Sequence, residues 1–466
     1  MWNITAINNA MRALPSGKYT IDDWLDGTLY KVLKARLNKH NFNGSEVTGL
    51  VQSGHPFTGR PFGEGIALPQ GGTPTIGKWR APIFEQIATA WITKQAMDKA
   101  KGMPGSEINA VRMALKELKS DWDYLSELAT FGDGTGRLAR VKSVANSNGV
   151  TTVTCDNTYL DSGIENVQCL KNGLQVEIYA ADGTQRNLNS VAYGIVTGVS
   201  FGNRQNSATP VDGTFTYASS GTDSIADGDI VYLRGTHSSG INESTFYAIG
   251  HTDNVCMPVG LLGLIQDADT NHLADGGTDY RMTTFQALVR ASYPTMYGRV
   301  VDGSNINSGT PGTPGDWDLS VLSDVMTDCY KASGAYVDVL FTSSRMASCI
   351  NRLQPVVINA NDPVAAAKMA SSGGMYASKF LRPDGKLIPI EISQMIPDNC
   401  VFGVATEHLS FEQPEEPDFF KMYGDIWGPT KGDGYAQFEA PFGGYMNFTA
   451  ERCDGCFVVK DLKTNL

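Results

Sequence analysis

Residues 105–140 read GSEINAVRMALKELKSDWDYLSELATFGDGTGRLAR. Apolar side chains recur at Ile108, Val111, Leu115, Leu118, Trp122, Leu125 and Ala129. Their alternating steps of three and four place them on one face of a helix. At the standard rise this helix runs about 37 Å, long for a globular domain. It is expected to act as a strut on which other elements are laid. Ser106 offers an N-cap oxygen directly after Pro104 and Gly105. Arg112, Lys116, Glu117, Lys119 and Asp123 occupy the other face, for water or a neighbouring chain to solvate. Gly132, Gly134 and Gly136 then end the helix, because glycine accepts the left-handed turn positions that other residues resist. These glycines resemble a nucleotide loop only loosely. A dinucleotide loop follows a strand and opens a helix, so that the helix N-terminus meets the pyrophosphate. Here the order is reversed, and a structural turn is expected.

Outward from this stretch, the 466 residues allow two to four domains, and 41% hydrophobic residues are enough to bury real cores. With 50 glycines and only 18% charged residues, strands and turns are favoured over a helical bundle. The longest apolar run, residues 258–265, has the length of a strand, far short of the roughly 18 residues that span a bilayer. The first residues lack a basic start followed by an apolar core, so no secretory signal is expected. The eight cysteines form no framework, and reduced thiols are expected.

Net charge is -12, and it is uneven. Residues 151–280 carry 15 acidic and 4 basic side chains, which leaves the rest of the chain near neutrality. Residues 1–45 hold 6 basic and 3 acidic side chains. A protein that grips DNA through its phosphates needs a basic stripe, and none is present.

Residues 1–45 read as an arm with an amphipathic helix over 22–39, apolar at Trp24, Leu25, Leu29, Val32, Leu33 and Leu37. Residues 46–57 and 77–93 read as two extended segments around a turn-rich tip at 63–75, with prolines that exclude a long helix. A two-stranded arm of this length is not stable alone and is expected to lie on a neighbouring subunit. Residues 149–280 read as all-β, a small barrel or sandwich inserted into a larger fold. Its turns are expected at Asn172-Gly173, Asp182-Gly183, Asp212-Gly213 and Asp227-Gly228. Helices over 318–332 and 343–353, with strands at 336–341, 386–392 and 400–404, predict an α+β sheet domain. From 435 to 461 the chain is strand-rich.

Chemistry is sparse. Cys453 and Cys456 make the one CxxC, but no second ligand pair completes a zinc site, and the flanking strands favour a turn. The six histidines show no metal spacing, and there is no Walker loop, GxSxG elbow or HExxH. Glu415, Glu416 and Asp418 cluster between prolines without a histidine and read as a solvated loop. The acidic loops at 212–229 and 267–279 lack the ligand spacing of an EF-hand. No catalytic residue, cofactor site or metal site is expected.

The strut ending in LATFGDGTGRLA at 128–139, the tip EGIALPQGGTPT at 64–75 and Gln95-Ala96-Met97 resemble the major capsid proteins of tailed bacteriophages with the Hong Kong 97-type fold. DGDIVY at 227–232 with VGLLG at 259–263 is similar to the inserted β-domain of some members, and 293–303 and 319–344 resemble the return into the body. The resemblance implies an α+β fold with an N-arm (1–45), an extended loop (46–93), a peripheral domain with its spine helix (94–148), an inserted β-domain (149–280), a peripheral return (281–316), an axial domain (317–431) and C-terminal strands (432–466). It implies a non-enzymatic shell protein of the virion, assembled in the bacterial host cytoplasm into pentamers and hexamers around dsDNA held by weak non-specific contact. Scaffolding, portal and decoration proteins are possible partners, and no membrane is involved. Glu64, Ile66, Leu68, Pro69, Lys78 and Trp79 are the expected inter-subunit contacts of the loop. With about 45 residues before the loop, a separate scaffolding protein or none is expected. The Lys–Asn cross-link of some members would call on Lys78 with Asn447 and on Glu439 or Glu451, though a lysine is common on any surface. The acidic insertion is expected to face away from the genome. An encapsulin-like compartment shares the fold, but the large insertion argues against it. A β-rich tail or adhesin protein, or a hydrolase, remains as a rival from another class.

Overall fold

The computed structural model describes residues 28–39, 46–53, 73–94, 110–156, 167–180, 182–188, 193–201, 212–219, 223–237, 257–268, 274–275, 278–279, 282–303, 317–353, 379–420, 428–429, 437–460 and 462–463. Helix α1 is Thr28–Arg36, and it buries Leu29, Tyr30 and Leu33. Strands β1 (Glu46–Ser53) and β2 (Thr75–Pro82) pair antiparallel from Glu46 opposite Pro82 to Ser53 opposite Thr75. Strand β3 is Phe84–Thr93, and the long helix α2 is Ala110–Phe131. The expected loop of 46–93 therefore ends at Pro82. Gln86, Ala88, Ala90 and Ile92 alternate inward on β3, a period that seats it in the body rather than in the arm.

Six strands follow: β4 (Arg137–Ser147), β5 (Val150–Cys155), β6 (Gln175–Tyr179), β7 (Gly194–Ser200), β8 (Gly213–Ala218) and β9 (Ile230–Leu233). They close into a barrel in the order β9-β4-β5-β8-β7-β6. The inserted unit therefore starts at Arg137, twelve residues before the expected boundary at 149. Its interior is filled by Val153, Cys155, Val176, Ile178, Val196, Phe215 and Tyr217. Gly173, Gly183 and Gly228 take positive φ as their turns require. Asp212-Gly213 is not a turn. Gly213 opens β8, and a Cβ there would lie 2.2 Å from Val167. A further Asn-Gly turn, Asn148-Gly149, with φ of 51° and 77°, joins β4 and β5. Both residues in the left-handed region give the hairpin turn that matches strand twist.

The apolar run at 258–265 becomes a helical turn at Leu261–Leu264 rather than a strand. A short hairpin, β10 (Thr284–Phe285) and β11 (Leu288–Val289), precedes β12 (Arg299–Asp302). Helix α3 (Leu319–Ser333) starts with the Asp318 carboxylate accepting from Ser320 N at 2.8 Å and stops at Gly334 in the left-handed region. Then come β13 (Val339–Thr342), α4 (Ser344–Leu353), β14 (Lys379–Leu381), β15 (Leu387–Ile392), β16 (Val401–Val404), β17 (Leu409–Glu412), β18 (Gln437–Ala450) and β19 (Phe457–Lys460).

Two six-stranded sheets share these elements. One runs β12-β19-β16-β13-β15-β14, with Leu322, Val325, Met326, Met346 and Ile350 of α3 and α4 packed in its core. The other is organised by β18. Its first ten residues pair with β3 and its last four with β17. The expected division at 431/432 is thus crossed in both directions. C-terminal β19 belongs to the helix-bearing sheet, whereas β17, inside the expected axial segment, belongs to the sheet under α2.

Candidate functional site

Helix α2 lies on β3, where Ala88 and Ala90 are small enough to admit Ala114 and Leu118. Trp122 meets Phe442 edge-on, with ring centroids 5.5 Å apart. Leu118 and Trp122 are buried, and Leu115 and Leu125 are half-buried beside the same core. Ser106 and Ile108 lie outside the described residues, and Val111 is in the helix without a described side chain. From Ser126 to Phe131 every residue is buried, so the single stripe becomes a fully enclosed helix end. Enclosure of that end brings in Glu127, which periodicity did not single out. Its carboxylate accepts from Leu29 N at 3.0 Å, Tyr30 N at 2.8 Å and Ser393 Oγ at 2.8 Å. Two of those donors are free N–H groups of the first turn of α1. Burial raises the Glu127 pKa, and the three hydrogen bonds and Lys31 pull it back in part.

The glycine turn is the joint of the molecule. Gly132 N donates to Leu128 O at 2.8 Å, and Gly134 and Gly136 take φ of 87° and 76°. Asp133 Oδ1 accepts from Thr135 N at 3.0 Å, and Arg137 lies 3.7 Å from its other oxygen. The chain returning from the barrel closes on the turn, with Met257 N donating to Gly134 O and Gly260 N to Gly132 O. A Cβ on Gly260 would lie 2.1 Å from Thr130 O, so only glycine permits this approach. Every residue of the turn is buried. It holds the entry and exit of the barrel together and offers no open cradle to a phosphate.

The described part of the arm rests on its own chain, not on empty space. A Cβ on Gly77 would lie 2.4 Å from the Tyr293 hydroxyl, and one on Gly49 2.4 Å from the Trp79 ring. Arg80 N donates to Gln286 O at 2.9 Å. Gln286 and Ala287 form the β10–β11 turn with positive φ at both residues. With its amide turned to match, Gln286 also pairs with the backbone of Ala450 on β18. Trp79, expected at a neighbour, is therefore buried in its own subunit, because the bare Gly49 across the ladder leaves room for the ring. Lys78 is exposed. Glu64, Ile66, Leu68 and Pro69 lie outside the described residues.

Directly opposite residues of an antiparallel pair share a face. Gly49 with Trp79 and Val51 with Gly77 face inward, so Leu50 with Lys78 and Gln52 with Ile76 face outward. Leu50 is 72% exposed and Ile76 58%. A second open face lies on β3 and β18, on the side away from α2. It carries Ile87 at 47%, Trp91 at 43% and Tyr445 at 41%.

Asn447, Cys453, Cys456 and Glu416 have structural roles. Asn447 is buried, donates to Pro82 O at 2.7 Å and accepts from Val259 N at 3.2 Å, so it is not presented for a cross-link. Cys453 and Cys456 are buried in a turn in which Cys456 N donates to Cys453 O, and burial raises the Cys453 thiol to about 12. Glu416 pairs with Lys34 of α1 at 2.5 Å. No group of three or more His, Cys, Asp or Glu gathers at metal-binding distance among the described residues.

No protein-family model matches the sequence, and no curated protein does. Among solved structures, the capsid of cyanophage A-1(L) is similar with a TM-score of 0.50 and 10% identity, over 97% of this chain and 98% of that one. The capsid of a native GTA particle aligns with a TM-score of 0.45 and 11% identity over 99% of both chains. An encapsulin from Synechococcus elongatus aligns with a TM-score of 0.38 and 7% identity. Helix α2, the buried glycine turn, the six-stranded barrel and the two-stranded arm thus belong to a chain that shares, over 97% of its length, the fold of the cyanophage A-1(L) capsid.

Proposed function

We propose that this chain is a shell-forming subunit, the major capsid protein of a tailed phage of Hong Kong 97 type, that assembles with copies of itself into an icosahedral container for dsDNA. The observation that carries this reading is the fold shared over the full length with a phage capsid subunit. The open outer face of the arm supports it, since a subunit built to associate leaves apolar surface that folding alone does not cover. The chain carries no catalytic step in this reading. Pentamers and hexamers form through many modest contacts per subunit, so no single interface has to be tight. The acidic barrel faces away from the packaged genome, because a net-negative wall segment repels phosphate. Such a shell belongs to the virion, and scaffolding, portal and decoration proteins are its natural partners.

Deletion of residues 65–72 at the arm tip tests the role of the arm. The expected outcome is a folded, soluble subunit that no longer closes shells. Normal particles from the deleted chain would defeat the inter-subunit role.

A further inference from the structure

Asparagine followed by glycine occurs twice among the described residues, and the two places differ in one hydrogen bond. Asn148 and Gly149 are the two central residues of the β4–β5 hairpin, between Ser147 and its partner Val150, and both are exposed. Gly149 O accepts from Ser219 N at 2.9 Å, but the Gly149 N–H donates to nothing among the described residues. Asn172 and Gly173, just before β6, are exposed as well. There Gly173 N donates to Val196 O at 2.7 Å, and Val196 N donates in return to Leu174 O at 2.9 Å. Gly173 is thus tied to β7 on the side where Gly149 faces water.

We propose that Asn148 is a site of spontaneous deamidation, an age-dependent modification from which Asn172 is protected. The Gly149 amide nitrogen gives its proton to solvent hydroxide and attacks Asn148 Cγ. The new N–Cγ bond closes a succinimide ring, while the side-chain nitrogen takes up a proton and leaves as ammonia. Water then opens one of the two ring carbonyls and gives aspartate or isoaspartate. One water is consumed and one ammonia released, with no change of oxidation state. Glycine has no Cβ to crowd the attack, and a solvent-facing N–H ionises without first breaking a bond. At Asn172 the same attack requires the Gly173–Val196 bond to open, and with it the edge of the β6–β7 pair. The product acts on the barrel. Ser219, whose N–H holds Gly149, also donates its hydroxyl to the Asp223 carboxylate, which Thr151 Oγ1 meets from β5. A carboxylate at 148 brings a second negative charge to this end of the barrel. An isoaspartate adds one main-chain carbon inside a two-residue turn, which the Ser147–Val150 register does not accommodate. Ageing therefore loosens the β4–β5 tip and its contact with Ser219.

Timed incubation of the purified full chain in heavy-oxygen water, at mildly alkaline pH, tests the proposal. Solvent oxygen marks each opened ring, so deamidation during a later digest in ordinary water is not counted. Tryptic cleavage after Lys142 and Lys171 places the two asparagines on separate peptides, 143–171 and 172–186, and fragmentation locates the label. In the folded chain, labelled product at Asn148 should accumulate about tenfold faster than at Asn172, or more, because only Asn172 needs a local opening. In urea, where both glycine N–H groups face water, the two rates should converge. Equal rates in the folded chain, faster reaction at Asn172, or no labelled product at Asn148 while the unfolded chain reacts at both sites would overturn the proposal. The same rate ratio in urea would assign the difference to sequence and overturn the role of the Gly173 hydrogen bond. Hydrogen exchange then tests the consequence. Aged wild type should exchange faster around Val150 and Ser219, whereas N148G, whose Gly-Gly pair suits the same turn, should not change on ageing. An equal change in both proteins would overturn the loosening.

Discussion

The barrel and the arm are both antiparallel β-structure, and they solve the edge problem in opposite ways. The barrel pairs each of its six strands on both sides and fills its interior with Phe215, Tyr217, Val153 and Ile178. Among the described residues its strands leave no free edge, and its apolar interior is closed within one chain. The arm has two strands, one face seated on Tyr293 and Gln286, and one face that leaves Leu50 and Ile76 in water. A pair of strands of this kind gains its remaining stability only when something covers it. The barrel completes its core in one chain and the arm does not; in the proposed shell the arm is the part that associates.

Equal truncations in the two regions should therefore behave differently. Phe215→Ala in the barrel, and Trp122→Ala where α2 meets Phe442, should each cost about 3–5 kcal/mol in urea unfolding of the unassembled subunit. A loss within a few tenths for either would mean that the ring is not enclosed. Gly260→Ala, at the seam where the barrel returns to the glycine turn, should cost about 1–3 kcal/mol, because the new methyl group meets the Thr130 carbonyl. Full stability of that variant would show that the seam yields.

Glu127 sharpens the comparison through pH. The native carboxyl holds its proton to higher pH than the unfolded chain does, since burial raises its pKa. Its contribution is therefore most favourable in acid. It declines as pH climbs from the ordinary carboxyl range through the raised native value, and is level above it. Glu127→Gln should remove that slope from a plot of unfolding free energy against pH, while barrel variants keep it. An unchanged slope would place the titration elsewhere. The smallest effect is expected in the arm: Leu50→Ala with Ile76→Ala should change subunit stability by no more than about 0.5 kcal/mol, yet lower particle yield. A large loss of subunit stability would mean that the outer face is already covered in the single chain.

Legibility in the sequence followed local physics. The 3-4 spacing placed Leu118 and Trp122 in the core, and Asp318 and Gly334 bound α3 within a residue of its expected span. Strands β6 and β9 fell where alternation put them. What escaped depends on distant partners. β3 looked like arm because nothing local says that Ala88 and Ala90 meet Ala114. Trp79 looked like a contact residue because its slot is a glycine thirty positions earlier. Asp212-Gly213 has turn chemistry but lies where Val167 packs against the strand. Glu127 carries no mark in the sequence pattern, and only the fold brings the first turn of α1 to it.

The central claim, that the chain builds a shell, is tested most directly by the mass and symmetry of the purified particle, read by mass photometry and a cryo-EM reconstruction. Assembly to megadaltons with icosahedral symmetry is the predicted result. A stable monomer or trimer at concentrations where the subunit is fully folded would contradict it.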